Sequence, residues 1–572
     1  MSSPNMLSHT MCKFRFVPSR PTDVVYVVDA ARVKENRKDE VNEMPTLVET
    51  WVSRASAKQR RGRAGRVQPG VAYHLYSSHT FEHDMQEYQL PEMLRVGLED
   101  LVLQILLLDL GEPSSFLAKA VNPPSGLAMK NSLKILEGLG AVEVDWGNKD
   151  GPETTIGSRP VQDDQDVLCT EVSADCGLTA LGFHLATLPV DPRVGKMMIY
   201  GALFGCTESA LTIAASMSAR SPFVSPFDRR DQADEARRNF STDGSDHLTI
   251  LNAFNKWKEI RQMKGDGGTR TFLRESFLSY LTLNQMEDLR KQFASLLVEI
   301  GFLPKGFRVS GKGRNGRNSG GGGGGGGRGA RNYRGNDPAL VPSAATESPG
   351  KDSVPMIKAV LCAGLYPNII VAPRPLVTVG NTQQAGEQAF RGQKGEVYLH
   401  PCTISFTEKR LDSRYCCYHE IVKTSKTYVR DCTTVNEFAL LLFGGSLQVY
   451  HTHGVVTVDN WLRFRIGAKP ATLVKHLRAQ MEKMLLEKIV SPENDITGSE
   501  EGQALIQAVS ALLTKEYQSN LLPDGAEIVR PWTGQTDNNR GGRSSSGGGR
   551  GRGRGNGGGR GGRGRGGGRG RA

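Results

Sequence analysis

The sequence predicts a multidomain chain: a partial α/β unit, a unit of helices with a strand pair, an all-helical block and a small β-barrel or sandwich, separated by disordered glycine- and arginine-rich segments. Three observations predict it. With 572 residues the chain is well beyond what one hydrophobic core organises, so several domains are expected. Its apolar periodicity changes along the length, from strand-like runs to helical spacing and back to short alternating runs. The net charge of +12 is also unevenly placed: residues 540–572 hold ten arginines and no acid, residues 306–335 hold seven lysines or arginines and no acid, and the remainder is net acidic. The basicity therefore lies in two segments that cannot bury apolar area.

Taken in order, "DVVYVVDAARVKENR" reads as a buried strand over residues 24–28 that delivers Asp29 at its end, and "GVAYHLYS" reads as a second strand. Between them lies an arginine-rich stretch, so that stretch belongs to an α/β sheet. Leu94, Leu98, Leu101, Val102, Ile105 and Leu108 follow helical spacing, which predicts a helix from Pro91 that stops at Gly111 and Pro113. A second helix, "SGLAMKNSLKILEGLG", precedes the strand "AVEVDW", and helical patterns then continue to about residue 304. The next fifty residues read as a disordered tether. From Pro355 the runs "GEVYLHPCTISF", "YCCYHEIVKT" and "KTYVRDCTTV" are short and β-type. Leu473, Leu477, Met481, Leu485 and Ile489 share one face of a closing helix, and an Arg-Gly tail follows.

Nine cysteines form no C-x-x-C pair, which argues against a disulfide framework and for a reducing compartment. The first twenty residues lack a signal-peptide core, and "LVLQILLLDL" is too short to span a bilayer. A soluble protein of the cytoplasm, with the nucleus as the alternative, is expected. No metal cluster is read: His247 in "SDHLT" has no second ligand at helical spacing and is taken as a packing residue at a helix start.

The stretch "SRASAKQRRGRAGR", residues 53–66, holds five arginines and one lysine. A γ-phosphate losing its bond needs positive donors held on a rigid element. Arg63 and Arg66, three apart, would project from one side of a helical turn, with Gly62 and Gly65 letting that turn pack closely on its sheet. Gln59, one turn earlier, could hydrogen-bond the phosphate or its attacking water. A solvated basic face, or a patch for an RNA backbone, is the alternative for any arginine-rich run.

The residue order selects between them. "ASAKQRRGRAGR", with "LVETWVS" before it, resembles motif VI of the DEAH-box RNA helicases. The resemblance continues through the strand and hairpin base before it, "LPEMLRVGLEDLVLQILLLDLG", "LTALGFHLATLPVDPRVGKMMIYGALFGC" and "YHEIVKTSKTYVRDCTTV", and covers roughly residues 21–305 and 355–520. It implies an unmatched N-terminus (1–20), the end of a second RecA-like lobe (21–88), a winged helix (89–177), a helical ratchet domain (178–304), a disordered linker (305–354), an OB-fold (355–470), C-terminal helices (471–525) and a disordered tail (526–572). It further implies that Arg63 and Arg66 are arginine fingers, that Gln59 is a phosphate or water contact, and that Arg60 and Arg61 tie the motif to its own domain. The residues "DAA" at 29–31 depart from the glycine the family usually carries after that aspartate.

By the same resemblance the activity is ATP-dependent RNA unwinding or translocation, with ATP and Mg²⁺ as cofactors and RNA, mainly single-stranded, as partner of a monomeric protein. Tyr418, His419, Lys423, Thr424, Tyr428 and Arg430 of the OB-fold are candidates to stack bases and track the backbone. Arg543, Arg550, Arg552, Arg554, Arg560, Arg563 and Arg565 of the tail are candidates to hold phosphates on a flexible chain, and the internal tether should make a second, weaker RNA contact. No G-x-x-x-x-G-K-[ST] and no DEAH-like tetrapeptide occurs, and "GFRVSGKG" has a glycine where the Mg²⁺-binding hydroxyl belongs. A chain truncated from a longer helicase, inactive as an ATPase alone, is the expectation; a non-catalytic RNA-binding protein or a protein-binding adaptor are the rivals.

Overall fold

A computed structural model describes residues 24–39, 44–146, 175–309, 353–373, 385–408, 411–424, 426–451, 454–494, 498–521 and 529–531. The N-terminus, residues 310–352 of the glycine-rich tether and the arginines of the tail lie outside the described residues.

The first unit is a small α/β piece. Strands β1 (Tyr26–Asp29) and β4 (Val71–His74) pair in parallel, and helix α1 (Arg54–Arg61) packs on them. Between β1 and α1, strands β2 (Arg32–Asp39) and β3 (Met44–Trp51) form an antiparallel hairpin. The first strand is not buried as its apolar run predicts: Val24, Tyr26 and Val28 are exposed on one side, and so are Val71 and Tyr73 of its neighbour. Among the described residues this sheet has two strands, and one of its faces is exposed.

Next come α2 (Glu99–Leu107), α3 (Pro113–Leu117) and α4 (Gly126–Leu139), followed by the hairpin of β5 (Val142–Asp145) and β6 (Asp175–Leu178). The helix expected from Pro91 begins later. A single 3-10 turn covers Glu92–Leu94, and α2 starts only at Glu99, so Leu108 ends outside the helix and exposed. Helix α4 has the ends its sequence signals: Ser125 accepts from the Ala128 amide, and Gly140 closes the C-terminus at φ 73°.

The all-helical block consists of α5 (Ala180–Thr187), α6 (Pro192–Leu203), α7 (Thr207–Ser218), α8 (Arg230–Arg238), the long α9 (Asp246–Glu275, kinked at Gly265) and α10 (Tyr280–Glu299). Helix α11 (Val354–Leu365) packs back on α6 and leads into the barrel. Its strands are β7 (Ile369–Val371), β8 (Phe390–Gly392), β9 (Gly395–Leu399), β10 (Tyr415–Lys423) and β11 (Thr427–Val435). The pairings β7–β8, β8–β9, β9–β11, β11–β10 and β10–β7 close the sheet on itself. The hairpin of the first unit joins this barrel from outside, β3 running parallel to β10 with Thr46 opposite Lys423.

The barrel ends at Val435. Helix α12 (Glu437–Phe443), the antiparallel strands β12 (Leu447–Tyr450), β13 (Val455–Val458) and β14 (Leu462–Ile466), and helices α13 (Ala468–Val490) and α14 (Glu500–Leu521) form a separate layer. On α13 the buried stripe runs through Val474, Met481, Leu485 and Ile489, with Leu473 in solvent. One continuous apolar cluster reaches from Leu98 of the first helical unit to Leu513 of the last helix, so these units share a core. Among the described residues no helix is long and apolar enough to cross a membrane.

Polar groups register the helical block on the barrel. Asp246, 1% exposed at the start of α9, accepts from Arg237 Nη2 and from the Ile404 amide through Oδ1, and from the Cys432 amide through Oδ2, each at 2.9 Å. Burial pushes its carboxyl up to about 6, against the pull of Arg237 and the two amides. His247, beside it, shares the Thr433 hydroxyl with Ser245, at 2.7 Å from each, and burial pushes its imidazole down to about 3. It is therefore a neutral packing residue.

Replacing Asp246 with alanine strands a guanidinium and two amides in the seam; a loss of about 3–5 kcal/mol in chemical denaturation is expected. For His247, the folded pKa lies below the unfolded one, so its stabilisation is present above about pH 6.5 and is lost as pH falls. Asp246 acts in the opposite direction, because its raised pKa favours the folded state as pH falls from about 6 towards 4. His247→Gln keeps a polar partner for Thr433 without titrating. Relative to the parent, its urea midpoint is expected to rise as pH is lowered from 7 to 5, by about 2 kcal/mol equivalent; parallel pH profiles would contradict this.

Candidate nucleotide and nucleic-acid interfaces

The arginine stretch is held at both ends. Ser53 caps α1 by accepting from the Ser56 amide at 3.1 Å, and the helix closes at Gly62. Beyond it the chain does not unwind: the Arg63 amide bonds Arg60 O at 3.1 Å, Ala64 bonds Arg61 O at 3.2 Å, and Gly65 bonds Gly62 O at 3.4 Å. Arg63 and Arg66 thus sit on a tight turn that continues the helix, with Ala64 buried beneath them. Gln59, Arg63 and Arg66 are all exposed, and among the described residues no carboxylate lies within ion-pair distance of either arginine. Arg60 behaves differently. It donates to Asp29 Oδ1 at 3.0 Å and so ties the helix to the end of β1.

The expected role of the glycines has to be reassigned. A Cβ at Gly65 would meet nothing within 4 Å, and one at Gly62 only ordinary contacts at 3.5 Å. Gly70 is the glycine that close packing requires, since a Cβ there would lie 2.0 Å from Ala64 O and 2.5 Å from Val25 O. It lets the chain pass between the arginine turn and β1. The departure from glycine near Asp29 is equally visible: Ala31 takes φ 54°, a left-handed conformation costing an alanine about 1–2 kcal/mol. It is held by a bond from its amide to Asp29 Oδ1 at 2.9 Å and by the Val52 amide on its carbonyl at 2.8 Å.

On the barrel the six candidate residues divide. Tyr418 packs against the interior cluster, and burial pushes its hydroxyl up to about 12. His419 is half-buried, with Nδ1 lacking a hydrogen-bond partner among the described residues. Lys423 and Thr424 stand exposed at the β10–β11 turn. Tyr428 and Arg430 lie on the outer face; the parallel pairing of β11 with β9 brings Tyr398 and His400 to them, and Lys426 comes from the β10–β11 turn. The Tyr428 ring lies 6.4 Å from Tyr398 and 5.8 Å, edge-on, from His400; Lys426 Nζ lies 4.1 Å over the Tyr398 ring. Arg430 Nη2 donates to His400 Nε2 at 3.1 Å, which requires a neutral imidazole. Burial, then the Arg430 and Arg230 guanidiniums, hold that imidazole below its ordinary range. Arg230 comes from α8, so the charge of the helical block acts on the same imidazole as that of the barrel. Tyr398, His400 and Lys426 were missed in the sequence, although alternation in "GEVYLH" signals the first two: Val397 and Leu399, which alternate with them, are buried in the barrel interior.

Three domain families match in this order: a helicase-associated, ratchet-like domain at residues 191–250, an oligonucleotide/oligosaccharide-binding fold at 357–447, and a C-terminal domain of RNA helicases at 454–515. The chain is 37% identical over 497 residues to the DExH-box ATP-dependent RNA helicase DExH1 of Arabidopsis thaliana, covering 86% of this chain and 42% of that protein. This chain belongs to the DEAH-box RNA helicases, and it matches their C-terminal part. It is also 35% identical over 501 residues to the ATP-dependent DNA/RNA helicase DHX36 of Homo sapiens (86% and 43%), and 32% identical over 497 residues to the human ATP-dependent RNA helicase DHX29 (86% and 31%). The chain thus spans less than half the length of these relatives. In this helicase segment the five-stranded barrel at Ile369–Val435 falls within the oligonucleotide-binding match.

The packing around Gly70 makes a sharp comparison. Gly70→Ala is expected to destabilise the arginine unit by about 1–3 kcal/mol or more, because backbone oxygens cannot retreat, whereas Gly65→Ala is expected to be near neutral. Limited proteolysis between residues 50 and 80, with thermal denaturation, measures the difference.

Proposed function

We propose that this chain is the RNA-gripping, nucleotide-sensing C-terminal part of an ATP-dependent RNA helicase, acting with a preceding ATPase lobe. The observation that carries the reading is the β2–β3 hairpin: it leaves the unit that holds Gln59, Arg63 and Arg66 and extends the barrel sheet at Lys423. Movement of the arginine unit is thereby tied mechanically to the barrel. Gln59, Arg63 and Arg66 suit the end of a triphosphate, being exposed, backed by a rigid turn and not neutralised by carboxylates among the described residues. ATP with Mg²⁺ supplies the free energy of phosphoryl transfer when bound. In this chain the two guanidiniums would meet the charge that develops on the departing phosphate, and Gln59 would orient a water or a phosphate oxygen. The β1–β4 sheet supports the need for a companion: among the described residues it has two parallel strands, with Tyr26, Val28, Val71 and Tyr73 exposed, short of the coverage a parallel sheet requires.

On the barrel, single-stranded RNA would stack a base on Tyr428 or Tyr398 and lay phosphates along Lys426, Arg430 and Arg230, with Lys423 and Thr424 at the turn. Tyr418 and His419 would contribute by holding the barrel against the helical block. The arginines of the tail would add sequence-independent phosphate contacts.

The test uses a protein extended to include the preceding lobe. Arg63→Ala and Arg66→Ala are each expected to lower RNA-stimulated ATP hydrolysis by about 10²-fold or more with RNA affinity retained. Tyr428→Ala is expected to weaken single-stranded RNA by about 1–3 kcal/mol, and Lys426→Ala to reduce the salt slope of binding by about 0.7. Unchanged hydrolysis in both arginine variants would refute the reading.

A further inference from the structure

Helix α1 has a second cationic face. Lys58 and Arg61 are three residues apart and lie on the side away from Gln59, which is about 100° round the helix from Lys58. Both are exposed, and among the described residues neither has a carboxylate within ion-pair distance. They border a cleft of about 270 Å³ whose far wall comes from the end of β4 and the turn after it: His74, Tyr76, Ser78 and Phe81. Gln59, Arg63 and Arg66 do not line it.

The chemistry of the walls is complementary across the cleft. Tyr76 and Phe81 stack with centroids 6.4 Å apart and planes at 15°, and both are half-buried against the small core of this unit, which braces the aromatic wall. His74 Nδ1 and the Tyr76 hydroxyl are bonded at 2.7 Å, which fixes both groups at the rim. One side thus offers two aromatic side chains and polar rim atoms; the other offers two cations on long, flexible side chains. An aromatic base with a phosphate a few ångströms away has that same division. The volume sits just below the usual range for ligand sites, about 300–1,000 Å³, which suits a single nucleotide unit within the cleft.

The geometry points to this cleft as a binding site for a single phosphorylated nucleoside, separate from the face that carries Gln59, Arg63 and Arg66. The base lies against Tyr76 and Phe81, the phosphate between Lys58 and Arg61, and the Ser78 hydroxyl is at the sugar's level. The same chemistry is supplied by a free nucleotide or by the 5′-phosphorylated end of an RNA.

The experiment titrates the purified full chain with adenosine monophosphate, followed by ³¹P resonance, and with an RNA tetramer in 5′-phosphorylated and 5′-hydroxyl forms, so that binding at the barrel cancels in the comparison. Two variants are used. Lys58→Ala/Arg61→Ala removes the cations, and Ser78→Trp fills the cleft while leaving them. The expected result is saturable binding of adenosine monophosphate that weakens at least tenfold in both variants. If only the advantage of the 5′-phosphorylated tetramer is lost in both, the site is supported with an RNA end as the source. No saturable binding of either probe, or binding that either variant leaves unchanged, overturns the proposal.

Discussion

One buried carboxylate sets how the helical block meets the barrel. Asp246 stands at the first turn of α9 and satisfies a guanidinium of α8 and two backbone amides that belong to the barrel's connection and to β11. Without those three donors its burial would cost several kcal/mol; with them it fixes depth, angle and register at once, which an apolar contact could not do. The residues around it follow. Asp431 adopts φ 51°, and β11 switches at that point from presenting Tyr428 and Arg430 outward to burying Cys432, Thr433 and Thr434 at the seam. Thr433 then meets Ser245 and His247, and Lys358 of α11 bonds Thr434 and the Asp243 carbonyl. The outer aromatic face and the interdomain seam are thus two consequences of a single local turn in one strand.

Much of the order of elements was legible. The alternation of strand, arginine helix and strand near the start, the Ser125 and Gly140 helix ends, and the three β runs after Pro355 all rest on local chemistry, and the structure places them where the pattern puts them. Family membership was legible for a different reason: motif VI and the accessory domains have a specific residue order. What stayed hidden is non-local. The parallel pairing of β11 with β9 brings Tyr398 and His400 beside Tyr428, and no period within either strand announces a partner thirty residues away. The addition of the β2–β3 hairpin to the barrel is of the same kind.

Within the arginine stretch, composition misled where three-dimensional contact decided. Gly62 and Gly65 stand inside the motif and invite a packing role, yet a Cβ would meet only ordinary contacts at Gly62 and nothing at Gly65; Gly70, outside it, is the position where backbone meets backbone. The apolar run of β1 suggested a buried strand because burial was inferred from hydropathy alone, whereas burial needs a covering layer. The start of α2 was set too early because the spacing of Leu94 and Leu98 is helical, while the chain between them makes one tight turn and breaks at Gly97 before α2 begins.

The two-stranded sheet of β1 and β4 also bears on how the molecule behaves in solution. Among the described residues its outer edges carry no further strand, and with the exposed rings of Tyr26 and Tyr73 they form a template to which one can add through main-chain bonds. If nothing covers it, the nearest source of such a strand in a concentrated preparation is another copy of the same sheet. Colloidal solubility therefore depends on a surface outside the barrel, and charge added beside Val71 would keep such preparations dispersed without touching either cationic face of α1.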